Sequence, residues 1–311
     1  MRFIDSYFYQ PNFWQKCLSI ALLPISVFYG VSATLRRVLG WAFGVRDFGV
    51  PIISVGNLVV GGSGKTPFII EVAREFNDVA IISRGYKRQS KGLVVVSHRG
   101  EIVCKQAEAG DEAFLIAKSL PNTTVIVCKN RVKAIEEAIN LGAKCIFLDD
   151  GFRFAFKKLN ILLKPKLSPY FPFVLPSGIY REMPYLYKYA DLLILEGRDY
   201  DREVFVSNPT QRMLLLTAIA NPSRLEEYLP AVVGKIFLSD HSRFDEEFLC
   251  TEIEKHSATS LLVTTKDEVK LQDMPFNLSV MRLKLRIDSE ILRQIRDYIT
   301  NYNVKRNAKS L

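Results

Sequence analysis

Residues 51–71 read PIISVGNLVVGGSGKTPFIIE, and this stretch decides how the chain folds. The apolar run from Ile52 to Val55 predicts a short buried strand. A glycine-rich loop follows at residues 56–64, and the residues after Thr66 are typical of a helix. A strand, a glycine loop, a Lys-Thr pair and a helix are the order found in a phosphate-binding P-loop.

The residue types in this loop are those that phosphate binding requires. Glycines let backbone N–H groups approach phosphate oxygens, and the following helix adds partial positive charge at its N-terminus. The Lys65 side chain can reach the β- and γ-phosphates, and the Thr66 hydroxyl can hold Mg²⁺. The residues predicted to bind the nucleotide here are Gly61, Gly62, Ser63, Gly64, Lys65 and Thr66.

Val59 departs from the usual P-loop pattern, because it occupies the position of the first expected glycine. The alternative interpretation is a glycine-rich turn between a strand and a helix in which Gly-Lys-Thr occurs by chance. The preceding strand and the following helix favour the P-loop, since that context is what confirms the motif.

Length and composition indicate a globular protein of about two domains. The chain has 311 residues, 48% of them hydrophobic, and a net charge of +9. The positive charge suits a phosphate-bearing substrate, an anionic lipid or a nucleic acid. We expect no nucleic-acid partner, because the chain has neither a basic helix nor an RNA-binding pattern. Five scattered cysteines without a Cys-x-x-Cys pair indicate a reducing compartment and argue against a zinc site.

Residues 1–50 form a segment rich in apolar and aromatic side chains. Nineteen uncharged residues, CLSIALLPISVFYGVSATL, separate Lys16 from Arg36. This length just reaches that of a membrane-spanning helix, but Pro24, Gly30 and four serine or threonine side chains interrupt it. We therefore favour helices that lie in the interface of an anionic membrane, with a true span and a buried helix as alternatives. No small-residue cleavage site precedes Arg36, which argues against a signal peptide.

Two further strands are predicted to end in charged residues beside the P-loop. The strand at 79–83 precedes Arg84, and ligands of open α/β sheets bind beyond the carboxyl ends of the strands. The strand at 144–148 leads into Asp149 and Asp150, as in a Walker B strand that holds Mg²⁺. The alternatives are a solvated basic turn at the first strand end and an ordinary Asp-Gly turn at the second.

Asp111 and Glu112 begin a helix that is predicted to extend to Lys118. Adjacent carboxylates suit a helix N-terminus, so this pattern leaves a structural and a functional role open. Residues 164–190 are rich in Lys, Pro and aromatic side chains, and they are predicted to form a lid or substrate-facing loop that carries Arg181. The aromatic side chains of that loop could contact acyl chains or pack against one another.

The chain is predicted to be an α/β protein in three parts. These are a membrane-associating segment (1–50), a P-loop core with a mainly parallel sheet (51–203) and a smaller α/β domain (204–311), with a boundary or hinge at 196–203. In the last part, strands are predicted at 213–219, 235–238, 261–265 and 278–285, and helices at 224–229, 245–256 and 289–302. His241 follows a strand end there, and a lone histidine is more often structural than functional.

Several motifs taken together resemble one family, the tetraacyldisaccharide 4′-kinases of lipid A biosynthesis. A P-loop alone would be weak support, but the long GN…GGxGKTP form joined to the other motifs is specific. The loop of that family also lacks the usual first glycine, which accounts for Val59. The motifs are LLPISVFYG, ISVGNLVVGGSGKTP, SRGYKR, GDEA, LDDGF, LPSGIYRE, AIANPSRL, SDH and TTKDEVKL.

The resemblance implies a membrane-associated P-loop kinase with an N-terminal interfacial helix. Such a kinase moves the ATP γ-phosphoryl group to the 4′-hydroxyl of a tetraacylated glucosamine disaccharide 1-phosphate and forms lipid IVA. The implied cofactors are ATP and Mg²⁺, and the implied partners are this lipid A precursor and the membrane, with no obligate protein partner evident. The implied location is the cytoplasmic face of the bacterial inner membrane, where the protein would be peripheral or monotopic.

The resemblance also implies roles for individual residues. By position, Asp111 would be the general base, with His241 orienting it and Lys65 contacting phosphate. Asn221 would lie near the nucleotide, and Arg181 would be the lid or hinge arginine. The acidic shell around Mg²⁺ would consist of Glu112, Asp149 and Asp150.

Two departures from the family pattern concern positions that could touch the acceptor. Arg153 and Phe154 replace the usual Gln-His, and Lys157 and Lys158 stand where an acidic residue is often found. The main alternative function is a membrane-recruited P-loop hydrolase or switch protein, which would hydrolyse nucleotide without a lipid acceptor. A second alternative is an integral membrane protein whose soluble part only binds nucleotide.

Overall fold

The computed structural model describes residues 3–42, 44–61, 64–219, 222–239, 242, 244–271 and 273–307. Its larger sheet has eight strands: β1 (Ile52–Gly56), β2 (Val79–Ser83), β3 (Val94–His98), β4 (Glu101–Ile102), β5 (Thr124–Val127), β6 (Cys145–Asp149), β7 (Leu159–Lys164) and β8 (Leu192–Leu195). Their order is β4-β3-β5-β2-β6-β1-β7-β8. All neighbours pair in parallel except β3 with β5 and β3 with β4, so the mainly parallel sheet predicted from sequence is confirmed.

The smaller sheet has five strands in the order β11-β10-β12-β13-β9. They are β9 (Tyr200–Ser207), β10 (Met213–Thr217), β11 (Gly234–Phe237), β12 (Ser260–Thr264) and β13 (Leu278–Ile287). Only β9 is antiparallel to its neighbour, β13. The helices are α1 (Phe3–Tyr9), α2 (Phe13–Ala21), α3 (Leu23–Ala42), α4 (Lys65–Ala73), α5 (Gln106–Ala109), α6 (Asp111–Ser119), α7 (Arg131–Asn140), α8 (Glu246–His256), α9 (Thr265–Leu271) and α10 (Ser289–Asn307), with 3₁₀ turns at Pro184–Tyr189 and Pro222–Tyr228.

Alternating side chains of the central strands supply two cores, because successive residues of a strand point to opposite faces. Ile53 of β1 packs in one cluster with side chains of α4 and α6, and with Ile295 of α10. Ile52 packs on the other face with Ile135 of α7. The larger sheet is therefore covered by helices on both faces, and its strand ends are the exposed part that can carry a site.

The boundary predicted at residues 203 and 204 falls inside β9. The charged residues at 200–203 form the start of this strand, with Tyr200 buried and Asp201 exposed. The last helix, α10, follows the smaller sheet in sequence but packs against the larger one through Ile291 and Ile295. The division into 51–203 and 204–311 stays a prediction.

The loop predicted at 164–190 is packed into the protein over much of its length. Val174, Ile179 and Leu186 are buried in a cluster with Leu58 and Phe152. The lid interpretation therefore does not describe this part of the segment in the structure. Several of its aromatic side chains pack on one another, as Phe171 does on Phe173 at a centroid distance of 5.2 Å, and others, such as Tyr185, are about half exposed.

Helices α2 and α3 expose one apolar face and dock the other. Trp14 and Phe28 are 77% and 76% exposed. On the docked face, the Ser19 hydroxyl donates to the Ser177 carbonyl at 2.6 Å, and the Ser26 and Ser177 hydroxyls lie 2.8 Å apart. Within the described residues no single helix is long and apolar enough to cross a membrane, whereas α2 and α3 pass that test only as a pair bent by 52°.

Candidate active site

The P-loop connects β1 to α4, as the sequence predicts. β1 is buried along its whole length, and Gly64 precedes the first residue of α4. Gly61 and Gly64 have φ angles of 103° and 81°, which lie in the left-handed region that favours glycine. Gly62 and Ser63 lie outside the described residues. The described glycines therefore sit where the chain must turn sharply before the helix begins.

Lys65 is held between an amide and a carboxylate at the start of α4. Its Nζ donates to Asn57 Oδ1 at 3.3 Å and lies 3.6 Å from Asp150 Oδ1. The side chain is 15% exposed. Thr66 follows in the first turn of the same helix and is a partly buried residue. The ammonium and the helix N-terminus together give this end of the P-loop its positive charge.

Asp149 is the last residue of β6 and is almost completely buried. Its Oδ2 accepts a hydrogen bond from the Ser83 hydroxyl at 2.9 Å. Its Oδ1 is buried without a hydrogen-bond partner in the described part of the chain. Burial, followed by the nearby carboxylates of Asp150 and Glu112, raises the pKa of Asp149 to about 6. A buried carboxylate oxygen in this state is one that a cation would stabilise.

Asp150 is the meeting point of two cations. Arg181 donates to both carboxylate oxygens of Asp150 at 3.2 Å. The Lys65 ammonium forms an ion pair with the same carboxylate. Burial raises the pKa of Asp150, but Lys65 and Arg181 outweigh it and lower the pKa below its usual value. Arg181 also donates to Asn57. The arginine is therefore locked into the P-loop side of the site by bidentate contacts.

Gly151 must be a glycine because the chain turns tightly after the two aspartates. A Cβ at this position would lie 2.7 Å from Leu148 Cβ and 2.8 Å from Ser54 Oγ. Asp150 itself has a φ of 55°, which Asp tolerates better than most residues. The Asp-Asp-Gly sequence is thus required by local geometry, and this geometry turns Asp150 toward Lys65.

Arg131 is a residue of the site that sequence reasoning missed. It is 4% exposed, and its guanidinium donates to the carbonyls of Ser83 (3.2 Å), Cys128 and Asp149 (3.1 Å). It thereby ties together the ends of β2, β5 and β6. The sequence did contain a signal for it. Arg131 is the first residue of α7, where a positive charge is unfavourable beside the helix dipole, so its presence there indicates a role other than stabilising the helix.

Asp111 and Glu112 occupy the first turn of α6, as predicted. Asp111 Oδ1 accepts a hydrogen bond from Gln106 Nε2 at 3.1 Å, and its Oδ2 lies 3.9 Å from Lys270 Nζ. Glu112 is close enough to raise the pKa of Asp149. Arg84 follows β2 and is exposed. His241 and Asn221 lie outside the described residues, so their predicted roles stay predictions.

The donor set at the end of β6 fits Mg²⁺. The metal prefers oxygen ligands and is usually held by one or two carboxylates together with phosphate oxygens and water. The partnerless Asp149 oxygen, Asp150 and the Thr66 hydroxyl supply such groups. Within the described ranges no three acidic, histidine or cysteine side chains form a complete metal cage. Such a site would therefore take its remaining ligands from the nucleotide and from solvent.

Comparisons with known proteins show which family this chain resembles over nearly its whole length. The model of the family described as Tetraacyldisaccharide-1-P 4′-kinase matches residues 18–300. The chain is 54% identical over 301 residues to a tetraacyldisaccharide 4′-kinase of Helicobacter pylori (strain HPAG1), with 96% of each chain covered. It is 45% identical over 301 residues to that of Campylobacter jejuni (serotype O:6, strain 81116), again with 96% of each chain covered.

A solved structure is also similar in fold. It is that of LpxK from Aquifex aeolicus in complex with ATP, with a TM-score of 0.74 and 28% sequence identity. The match covers 91% of this chain and 99% of that chain. Because the family model and the relatives match nearly the whole chain, this chain belongs to the tetraacyldisaccharide-1-P 4′-kinase family.

Proposed function

We propose that this chain performs the reaction of its family with the residues gathered between β6, α4 and α6. The chain is an ATP-dependent kinase of lipid A biosynthesis. It transfers the γ-phosphoryl group of ATP to the 4′-hydroxyl of a tetraacylated glucosamine disaccharide 1-phosphate and forms lipid IVA. The observation that supports our residue assignment is the convergence of Lys65, Asp149, Asp150 and Arg181 beside the N-terminus of α4.

In the proposed mechanism the chain positions the phosphates and balances their charge. Phosphoryl transfer depends on alignment and charge stabilisation more than on covalent participation by the enzyme. Lys65 and the backbone N–H groups of the P-loop would hold the β- and γ-phosphates. Asp149, Asp150 and Thr66 would hold Mg²⁺, which when bound offsets negative charge on the transferring group. Arg181 would keep Asp150 and Asn57 in place.

Asp111 is the proposed general base. It is 21% exposed at the start of α6, so the 4′-hydroxyl can approach it from solvent. The hydroxyl proton would pass to the Asp111 carboxylate as the hydroxyl oxygen attacks the γ-phosphorus, and the bond from this phosphorus to the β,γ-bridging oxygen would break to release ADP. His241, which follows β11 in the sequence, is proposed to orient this carboxylate, and Asn221 is proposed to lie near the nucleotide.

The proposed base is tested by following labelled γ-phosphate from ATP to the acceptor lipid in detergent micelles. Since general base catalysis contributes about 10²–10⁴-fold, Asp111→Asn should lower turnover by that order while ATP affinity changes little. Asp78→Asn is the matched control, because Asp78 forms an exposed ion pair with Lys144. Undiminished lipid labelling in Asp111→Asn would rule out the base assignment. ATP hydrolysis by the wild type without any labelled lipid would favour a nucleotide hydrolase instead.

We also propose that α2 and α3 hold the protein on the cytoplasmic face of the bacterial inner membrane as a peripheral or monotopic enzyme. The exposed apolar face of these helices supports this proposal, because Trp14 and Phe28 are each about three-quarters exposed in the described part of the chain. The acceptor carries four acyl chains, so a site close to the membrane would meet it there. The proposed partners are thus the lipid A precursor and an anionic membrane surface.

A further inference from the structure

Lys270 lies where the two sheets meet, and the proposed mechanism gives this residue no role. It belongs to α9 and to the TTKDEVKL motif, for which sequence reasoning offered no role. Its side chain is 9% exposed. A lysine is rarely buried without partners, because burying an ammonium group without compensation is costly.

The Lys270 ammonium lies near three oxygen atoms, two in ion pairs and one in a hydrogen bond. It lies 3.9 Å from Asp111 Oδ2 and 3.6 Å from Asp267 Oδ1, and it donates to the Ser242 carbonyl at 3.4 Å. Asp111 is on α6 beside the larger sheet, Asp267 is on α9, and Ser242 is the residue after His241. One side chain thus connects the proposed base with the loop of its predicted partner.

Asp267 fixes the helix that presents this lysine. It is fully buried, and its carboxylate accepts hydrogen bonds from the Thr217 hydroxyl (2.8 Å), the Thr264 hydroxyl (2.8 Å) and the backbone N–H of Ala218 (3.3 Å). These contacts hold the start of α9 against the ends of β10 and β12. The position of the Lys270 ammonium is therefore set by the smaller sheet and not by Asp111.

We propose that Lys270 is a positioning residue for phosphoryl transfer. In this role, Lys270 fixes the orientation of the Asp111 carboxylate relative to the loop that carries His241. The inference rests on the proposed role of Asp111 as the base. An ammonium fixed by the smaller sheet restricts the carboxylate to a few orientations, and small displacements of a catalytic group cost much of its efficiency. Lys270 itself touches neither nucleotide nor acceptor in this role.

The test compares Lys270→Met with the wild type in the micelle assay. We expect kcat to fall about tenfold, because contacting residues in one network couple by this order. The KM for ATP should change less than about threefold, since the P-loop contacts are unchanged. Lys270→Arg keeps the charge but moves its donors, and its kcat should lie between those of the other two proteins. A wild-type kcat in the folded Met variant would overturn the proposal.

Two controls separate a positioning role from a structural one. Lys255→Met removes a lysine of α8 that pairs with Glu252 at the surface, and it should leave kcat unchanged. Thermal unfolding shows whether each variant is folded. If the Met variant does not fold, Lys270→Arg decides alone, and wild-type kcat in that variant overturns the proposal.

A double-variant cycle distinguishes failure of this inference from failure of the base assignment. If Lys270 acts through Asp111, then Lys270→Met should have no further effect on the residual kcat of Asp111→Asn. An equal fold loss in both backgrounds would show that Lys270 acts independently and would overturn the inference while the base assignment stands. Full activity of Asp111→Asn would instead remove the base assignment and the inference with it.

Discussion

The backbone at Gly64 restricts which residue the P-loop accepts there. Its φ of 81° is unfavourable for any side chain, and an added Cβ would lie 2.7 Å from Arg202 Nη2. Gly64→Ala should therefore weaken ATP binding by at least about tenfold, because left-handed strain alone costs about 1–2 kcal/mol. Titration with ATP measures this loss. Gly92→Ala is the matched control, since Gly92 has a φ of 72° but no atoms within 4 Å, and equal affinities of the two variants would contradict the argument.

Arg131 links three strand ends, and its loss should affect stability as well as activity. Arg131→Met would leave the carbonyls of Ser83, Cys128 and Asp149 without this donor. We expect the free energy of unfolding to fall by about 3 kcal/mol, as measured by urea denaturation. Arg293→Met, at an exposed ion pair on α10, should change it little. Equal stability of both variants would show that the buried contacts contribute nothing measurable.

Lys158 gives the folded protein an unusual response to alkaline pH. Burial, followed by the nearby Arg37 guanidinium, lowers the pKa of Lys158 to about 8. Between about pH 8 and the ordinary lysine pKa of 10.5, the unfolded chain binds more protons than the folded one, so this group makes folding more favourable as pH rises. Over this pH range Lys158 raises the free energy of unfolding by at most about 3 kcal/mol.

To measure this effect, the free energy of unfolding of the wild type and of Lys158→Met is determined at pH 7 and again at pH 10. The difference between the two proteins is then compared at the two pH values. The wild type should gain stability relative to the variant as the pH rises. The exposed Lys144→Met serves as a comparison, because its side chain is 79% exposed. A difference that stays constant across this range would mean that Lys158 titrates as it does in the unfolded chain.

At the scale of elements, α2 and α3 are predicted to supply the membrane contact. Trp14→Glu with Phe28→Glu should lower binding to anionic vesicles by at least about tenfold, because both side chains lie on the exposed apolar face. Vesicle sedimentation measures the bound fraction. Val304→Glu is the control, since Val304 is 61% exposed on α10. Equal binding of all three proteins would place the membrane contact elsewhere.

Elements with local signals could be predicted from the sequence, and those defined by distant contacts could not. The P-loop and the β6 aspartates were predicted because their chemistry lies in consecutive residues. The start of strand β9 was interpreted as a boundary because it is rich in charged residues. Its side chains alternate between more buried and exposed positions, and this pattern becomes clear only once β9 is paired with β13. Arg131 and Lys270 were missed because the contacts that link them to the site are distant in the sequence, with Ser83 for Arg131 and with Asp111 for Lys270. The four serine and threonine residues between Lys16 and Arg36 were taken as arguments against a span, whereas two of them, Ser19 and Ser26, form hydrogen bonds with residue 177.

At the scale of the whole molecule, the last helix completes the core of the larger sheet. Ile291 and Ile295 of α10 are buried with Ile53 and Phe147. A chain that ends at residue 208 should therefore expose apolar surface and unfold or aggregate, although it contains every strand of that sheet. Circular dichroism and gel filtration of this fragment check the prediction, with the full chain as control. A monomeric, cooperatively folding fragment would instead support an independent domain at 51–203.

The same helix ends close to the start of β1. The Tyr302 hydroxyl donates to Asp47, and Arg306 donates to the Gly49 carbonyl at 2.6 Å. Ribosomes make a chain from its N-terminus, so α10 is the last described helix to be synthesised and the apolar α2 and α3 are among the first. We therefore expect α2 and α3 of a nascent chain to meet a lipid bilayer before α10 is made, and the ATP site to mature only after α10 has packed on the larger sheet.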